Sequence, residues 1–105
     1  MARLSTIVYT IEVRRTEEFI EWMRALRDRK AQSIINNRIV RIRNGNFGDV
    51  KYFDGIGEVR IDFGPGYRVY FQKRGAAIVI LLCGGDKTTQ TKDINAAIQL
   101  AKEYE

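Results

Sequence analysis

The stretch from Gly57 to Gln90 constrains the fold most, because apolar and polar residues alternate on both sides of a Gly-Pro-Gly turn. Successive side chains of a strand point to opposite faces of its sheet. The alternation therefore predicts a β-hairpin with one apolar and one polar face. The apolar face comprises Val59, Ile61, Phe63, Val69 and Phe71, and the polar face comprises Glu58, Arg60, Asp62, Arg68, Tyr70 and Gln72.

The strands of this hairpin are predicted over residues 57–63 and 67–73, with a three-residue loop between them. Such a loop would place Asp62 opposite Arg68, and Arg60 opposite Tyr70, with Cβ atoms about 4.5–5.5 Å apart. Two arginines and a tyrosine on a rigid face are suited to a phosphate backbone or a stacked base. The alternative is local pairing, of Arg68 with Asp62 and of Arg60 with Glu12 or Glu58.

Upstream, the pattern predicts a first strand over residues 6–13 and then a helical hairpin. Thr16 is a candidate N-cap for the first helix, and Glu17 and Glu18 suit its first turn. The buried stripe of that helix would be Phe19, Trp22, Met23 and Leu26. After a break near residues 28–31, a second helix would bury Ile34, Ile35, Ile39 and Ile42 and end at Asn44-Gly45.

Downstream of the helices, a short strand is predicted over residues 50–53, before the hairpin. The run over residues 76–83 is apolar on both faces, which predicts a central strand covered on both sides. A final helix would begin at Thr88, Thr89 or Thr91. The order predicts a single α+β domain over residues 1–105, with helices packed on one face of an antiparallel sheet.

The net charge of +5 is concentrated in one block of the chain. Residues 14–43 contain nine basic and four acidic residues, and the nine basic residues elsewhere are matched by nine acidic ones. Because this block is predicted to be helical, its surface can follow the phosphates of a nucleic acid. The alternative is an ordinary solvated helix face.

The composition excludes several classes of site. The chain has no histidine and one cysteine, so no transition-metal site, no Ser-His or Cys-His nucleophile pair and no internal disulfide are expected. Its longest apolar run is far shorter than the roughly 18 residues of a membrane span, and the N-terminus is a poor secretion signal. No cofactor and no membrane partner are expected, and a single cysteine fits the cytoplasm.

Basic residues that are predicted to lie near one another are the remaining candidates for a catalytic site. Arg60 and Arg68 share the polar face, and Lys87 follows the central strand. Arginine forks and lysine can hold an RNA phosphate in line for attack by its own 2′-hydroxyl and stabilise the developing charge. The general base stays open among Glu58, Asp62, Tyr70, Asp86 and Lys87.

The segments EVRIDFGPGYRVYF (58–71) and LLCGGDKTTQTKDINAA (81–97) resemble the RelE/ParE superfamily of bacterial toxins. The nearest branch is the phage-derived, HigB-like addiction module killer protein group. Trp22 and the stretch over residues 48–51 agree with the resemblance, which extends over nearly the whole chain. It implies a RelE-like antiparallel twisted sheet, two N-terminal helices and a short C-terminal helix.

The resemblance also implies a function. RelE-like toxins cut mRNA in the ribosomal A site and are neutralised by a cognate helix-turn-helix antitoxin. Carried over to this chain, Arg60, Arg68 and Lys87 would be catalytic, with Tyr70 as a further candidate. The sequence departs from the family pattern at Glu58, where some relatives have a basic residue, and near the last helix, where Gln90 and Asp93 replace a tyrosine or histidine.

Contacts to ribosomal and messenger RNA are expected from a wider set of polar residues: Arg38, Arg41, Arg43, Lys51, Gln90 and Lys92. Two other functions stay open. One is inhibition of DNA gyrase without catalysis, as in ParE-like relatives. The other is nucleic-acid binding by a relative that has lost its toxicity.

Overall fold

The computed structural model describes residues 10–104, so part of the strand predicted over residues 6–13 lies outside the described residues. A short 3-10 turn over Lys87–Thr89 precedes the last helix. In order, the strands and helices of the described range are β1 (Glu12–Arg15), α1 (Glu17–Ala25), α2 (Arg29–Arg43), β2 (Val50–Phe53), β3 (Ile56–Ile61), β4 (Tyr67–Arg74), β5 (Ile78–Gly85) and α3 (Gln90–Glu103).

The five strands form one mixed sheet in the order β1-β5-β4-β3-β2. The pairs β2–β3, β3–β4 and β4–β5 are antiparallel, whereas β1 pairs in parallel with β5, from Glu12 opposite Ile78 to Arg15 opposite Leu81. The prediction of an antiparallel, RelE-like sheet is therefore wrong. Alternation identifies a strand but not its partner, and β1 pairs with a strand more than sixty residues away. The fold remains of the α+β class.

The helices lie on both faces of this sheet, and the expectation that they share one face is wrong. On one face, α1 and α2 pack against the apolar side of the hairpin. On the other face, α3 packs through Ala97 and Ala101 against Ile80 and Leu82 of β5. Strand β5 is buried between the two layers, as its apolar run predicted. With 14 residues, α3 is longer than α1, which has nine.

Polar side chains define the helix starts. Thr16 caps α1, since its hydroxyl accepts a hydrogen bond from the Phe19 amide at 3.0 Å. The same hydroxyl donates to the Leu82 carbonyl at 2.5 Å and so ties α1 to β5. The Asp28 carboxylate accepts from the amides of Lys30 and Ala31 and starts α2. The Thr16 cap is confirmed, whereas the break predicted near residues 28–31 lies earlier, over residues 26–28, because Asp28 already caps α2.

The register of the hairpin differs from the prediction by two residues. Arg60 lies opposite Arg68, and Glu58 lies opposite Tyr70. The connection contains five residues instead of three, because Gly64 and Gly66 adopt positive φ and the Phe63 amide donates to the Ile61 carbonyl at 2.9 Å. A shift of two residues leaves every side chain on its face, so the predicted apolar and polar faces are retained.

Candidate nucleic-acid interface

The three basic residues singled out in the sequence line one cleft. Arg60 and Arg68 are directly opposed on β3 and β4, and Lys87 enters from the turn after β5. The cleft has a volume of about 290 Å³, and its wall also includes the acidic residues Asp49 and Asp62. Three cations from separate segments therefore meet two carboxylates at one end of the sheet.

The glycine turn brings Lys87 beside the hairpin. The Lys87 amide donates to the Pro65 carbonyl at 3.4 Å. A Cβ atom placed on Gly66 would lie 3.4 Å from the Cβ of Lys87 and 3.5 Å from Nη1 of Arg68. Since Gly66 also has a φ of +79°, a larger residue there would strain the turn that packs against Lys87 and Arg68. The Gly-Pro-Gly sequence therefore shapes the cleft as well as reversing the chain.

Glu58 lies directly behind this cleft and is completely buried. Its Oε2 atom accepts hydrogen bonds from the hydroxyl of Tyr70 at 3.1 Å and from Nε2 of Gln90 at 2.8 Å. Its Oε1 atom accepts from Nε of Arg60 at 3.1 Å and lies 3.9 Å from Nε of Arg68. One buried carboxylate thus joins two strands, both arginines and the start of α3.

These contacts decide between the pairings that the sequence left open. Arg60 pairs with Glu58, and Glu12 pairs with Arg14 instead. Within the described residues Asp62 makes no ion pair with Arg68. The Arg68 side chain is 12% exposed and that of Arg60 is 35% exposed, so both guanidinium groups still reach the cleft.

Tyr70, the fourth catalytic candidate, lies beneath the surface and is completely buried. Burial raises the pKa of its hydroxyl far above the usual value, and the neighbouring Glu58 carboxylate raises it further. The hydroxyl therefore keeps its proton and donates a hydrogen bond to Glu58. Among the other candidates for general base, Asp62 and Lys87 line the cleft. The Thr88 hydroxyl lowers the pKa of Asp86, which caps the 3-10 turn.

Arg38, an RNA-contact candidate, is turned inward. Its Nη1 atom donates to the carbonyl of Arg60 at 2.9 Å, and its Nη2 atom donates to the carbonyl of Phe47 at 3.0 Å. Burial lowers the pKa of this guanidinium, and repulsion from Arg41 lowers it further. A Cβ atom on Gly48 would lie 2.6 Å from Nη2 of Arg38, so Gly48 provides the space for these contacts.

The other RNA-contact candidates lie at several places on the surface. Arg41 is exposed on α2, and Arg43 is half-buried at the end of that helix. Lys51 lies on β2 with its ammonium group 5.1 Å from the centre of the Phe53 ring. Gln90 and Lys92 line an open groove of about 520 Å³ along the start of α3, and Lys87 is shared between this groove and the cleft.

Sequence reasoning missed the central position of Glu58 and the presence of Asp49 in the cleft wall. Alternation assigned Glu58 correctly to the polar face, but it carries no sign that α3 covers that part of the face. The one signal was Tyr70, a large amphipathic residue on the same face. The described residues contain no cluster of histidine, cysteine or acidic side chains that could hold a metal ion.

Comparison with known proteins gives one family. No family model matches the chain. A protein of Haemophilus influenzae (strain ATCC 51907 / DSM 11121 / KW20 / Rd), named "Uncharacterized protein", is 52% identical over 95 residues, which cover 90% of this chain and 96% of the relative. The chain belongs to the family of that protein. The shared sequence therefore extends over nearly the whole domain.

No helix within residues 10–104 has the length and apolar character that a membrane crossing requires.

Proposed function

We propose that the chain is the toxin of a type II toxin–antitoxin system and that it cleaves mRNA on the ribosome without a metal ion. The observation that carries this proposal is the meeting of Arg60, Arg68 and Lys87, from three separate segments, in one cleft. The support comes from this site rather than from the sheet, whose mixed pairing differs from the one that the RelE/ParE resemblance implies.

In the proposed reaction, the cleft holds one RNA phosphate while the adjacent 2′-hydroxyl attacks it. The attack forms a 2′,3′-cyclic phosphate and breaks the bond from phosphorus to the 5′-oxygen of the next nucleotide, which leaves as a hydroxyl after taking a proton from water. The forks of Arg60 and Arg68 bind the non-bridging oxygens and stabilise the charge that develops on the phosphorane. Lys87 adds a third positive charge at the mouth of the cleft. Asp62 also lines the cleft and would receive the proton of the 2′-hydroxyl as the general base, while Lys87 stays protonated.

The wider RNA contacts follow from the exposed basic residues. Lys92 and Gln90 extend the site along the groove that begins at Lys87. Arg41 lies on the exposed side of α2 and would reach ribosomal RNA. Arg38 supports this surface from inside, because its guanidinium is bonded to two backbone carbonyls. In this proposal the protein acts in the cytoplasm and is bound by a helix-turn-helix antitoxin that covers the basic surface or blocks entry to the ribosome.

The test is to express the chain and the Arg68→Ala variant in bacteria and to map the 5′ ends of cellular mRNA. We expect new ends within codons for the wild type, and a loss of about 10²-fold or more for the variant, since one charge-stabilising donor is removed. Lys102→Ala is the matched control, because Lys102 is exposed on α3 outside both the cleft and the groove. Growth arrest with unchanged mRNA ends would contradict the proposal.

A second candidate is a toxin that binds without cleaving, for example an inhibitor of DNA gyrase. The observation that favours it is the withdrawal of Tyr70 from the surface, which removes one candidate for proton transfer. The acidic residues Asp49 and Asp62 in the cleft wall also offset part of its positive charge. Double-strand DNA breaks that depend on gyrase, without new mRNA ends, would establish this alternative. An inactive nucleic-acid-binding relative would give salt-sensitive RNA binding and no arrest of growth.

A further inference from the structure

The arginines of the cleft use different parts of their guanidinium groups for different contacts. Arg60 donates its Nε–H to Glu58 at 3.1 Å, and the Nε atom of Arg68 lies 3.9 Å from the same carboxylate oxygen. The Nη1 atom of Arg68 donates to the carbonyl of Gly66 at 3.3 Å, at the edge of the cleft. Glu58 therefore accepts a hydrogen bond from Arg60, whereas the buried Nε atom of Arg68 faces the same carboxylate without a hydrogen bond. Within the described residues, no protein acceptor occupies the two Nη atoms of Arg60 or Nη2 of Arg68, and these remain for a ligand.

Two neutral donors hold the carboxylate from behind. The hydroxyl of Tyr70 and the amide of Gln90 both donate to Oε2 of Glu58, which leaves Oε1 directed to the arginines. These donors come from β4 and α3, so the carboxylate is fixed by two separate elements. A buried carboxylate is tolerated only when it is paired and hydrogen-bonded in this way.

We propose that Glu58 is a positioning residue that orients the guanidinium groups of Arg60 and Arg68 for a phosphate in the cleft, which rests on the proposed function of that cleft. Opposed on neighbouring strands, two like charges repel each other, and a shared carboxylate behind them reduces this repulsion. It also restricts two long side chains to one geometry, which lowers the conformational entropy lost when a phosphate binds.

This role and a simple charge effect predict opposite results for Glu58→Gln. The substitution removes one negative charge near the cleft and keeps the shape of the side chain. If Glu58 acted only by repelling an anionic ligand, removing its negative charge would strengthen the binding of a polyanion. If Glu58 orients the arginines, its loss weakens that binding.

The first measurement follows the Nε–H groups of the arginines by ¹⁵N NMR. In the wild type, we expect the Arg60 and Arg68 signals to exchange with water more slowly than the signal of the exposed Arg41. In Glu58→Gln, this protection should be lost while the backbone spectrum stays folded. Signals of Arg60 and Arg68 that exchange as fast as that of Arg41 in the wild type would overturn the proposal without any variant.

If Glu58→Gln does not fold, Gln90→Ala provides the same NMR test by removing one of the donors that hold the carboxylate. We expect faster exchange at Arg60 and Arg68 in this variant and an unchanged Arg41 signal. Unchanged exchange at all three arginines would contradict the role assigned to the carboxylate.

The second measurement is the dissociation constant of a 2′-O-methyl RNA oligonucleotide, which cannot be cleaved because it lacks the attacking hydroxyl. We expect Glu58→Gln to weaken binding about tenfold, through loss of the oriented fork geometry. The matched control is Asp49→Asn, which removes an equal charge from the cleft wall without touching the arginines' carboxylate partner, and it should bind the oligonucleotide more tightly. Tighter binding by both variants would overturn the positioning role.

Arg68→Ala separates this inference from the proposed function. If Arg68→Ala binds the oligonucleotide as well as the wild type does, the cleft is not the phosphate site and the proposed function fails. The NMR signals would then still decide whether Glu58 orients the two arginines.

Discussion

The two faces of the sheet arise from one alternating pattern, but they are stabilised by different interactions. Toward α1 and α2, the hairpin presents Val59, Ile61, Val69 and Phe71 to an apolar core. Toward α3, the same strands bury Glu58 and Tyr70 close to apolar residues of β5. The first face is stabilised by area and packing, whereas the second depends on whether each polar atom has a partner. Alternation therefore predicts on which face of the sheet a side chain lies more reliably than it predicts what packs against that face.

The largest expected effect lies on the apolar face. Phe71→Ala removes a completely buried ring that packs against Phe47 and Tyr52, and it should lower the free energy of unfolding by about 3–5 kcal/mol. Urea denaturation followed by circular dichroism measures this change. Val40→Ala is the control, because Val40 is exposed on α2, and it should change stability by less than about 0.5 kcal/mol. Equal effects of the two variants would show that this face is not the core.

A smaller effect is expected on the polar face. Tyr70→Phe keeps the ring but removes the hydroxyl that donates to Glu58, and it should cost about 1.5–3 kcal/mol, as for other hydrogen bonds to charged groups. Tyr67→Phe is the matched control on the same strand, since the Tyr67 hydroxyl makes no hydrogen bond within the described structure. If urea denaturation gives the same stability for both variants, the polar contacts do not stabilise this face.

A buried thiol on β5, on the side of the sheet that packs against α3, should also make the protein sensitive to alkali. Burial raises the pKa of Cys83 to about 12, and the nearby acidic groups of Asp93 and Glu18 add to the shift. The unfolded thiol loses its proton near pH 9, while the folded thiol keeps it to about pH 12, so unfolding releases a proton in this range. The thiol should therefore lower stability by about 1.4 kcal/mol per pH unit above pH 9 and have no such effect below about pH 8.

The matched variant for this prediction is Cys83→Ala, which removes the thiol but not the other groups that titrate in alkali. Urea denaturation between pH 7 and 10.5 should give parallel stability curves for the two proteins up to about pH 8.5. Above that pH the wild-type curve should fall more steeply. Curves that stay parallel to pH 10.5 would refute the assigned burial of the thiol.

Much of the fold could be predicted because local signals were strong. The Thr16 cap, the presence of a break between the first two helices and the strand Val50–Phe53 follow from side-chain chemistry within a few residues of each site. The hairpin register was missed because two positive-φ glycines permit a longer loop than the three-residue one. The partner of β1 was missed because pairing between distant segments depends on tertiary packing. A local pattern contains no information about that packing.

The candidate site also has features that the sequence predicted and features that it did not. The grouping of Arg60 with Arg68 follows from alternation, which survives a register shift of two residues. The role of Arg38 was misjudged, although its position carried a signal. It lies three residues after Ile35 and four before Ile42, on the same face of α2 as the buried stripe, where a guanidinium must turn inward to find acceptors.

The pairing of β1 with β5 has a consequence for synthesis. The hydroxyl of Thr16 reaches the Leu82 carbonyl across 66 positions of the chain, and β1 finds its hydrogen-bonding partner only in that same late segment. At a translation rate of about 5–20 residues per second, β1 is synthesised several seconds before the strand with which it pairs. The nascent protein therefore remains without its finished sheet until β5 has left the ribosome, and without an assembled cleft until Lys87 has followed it.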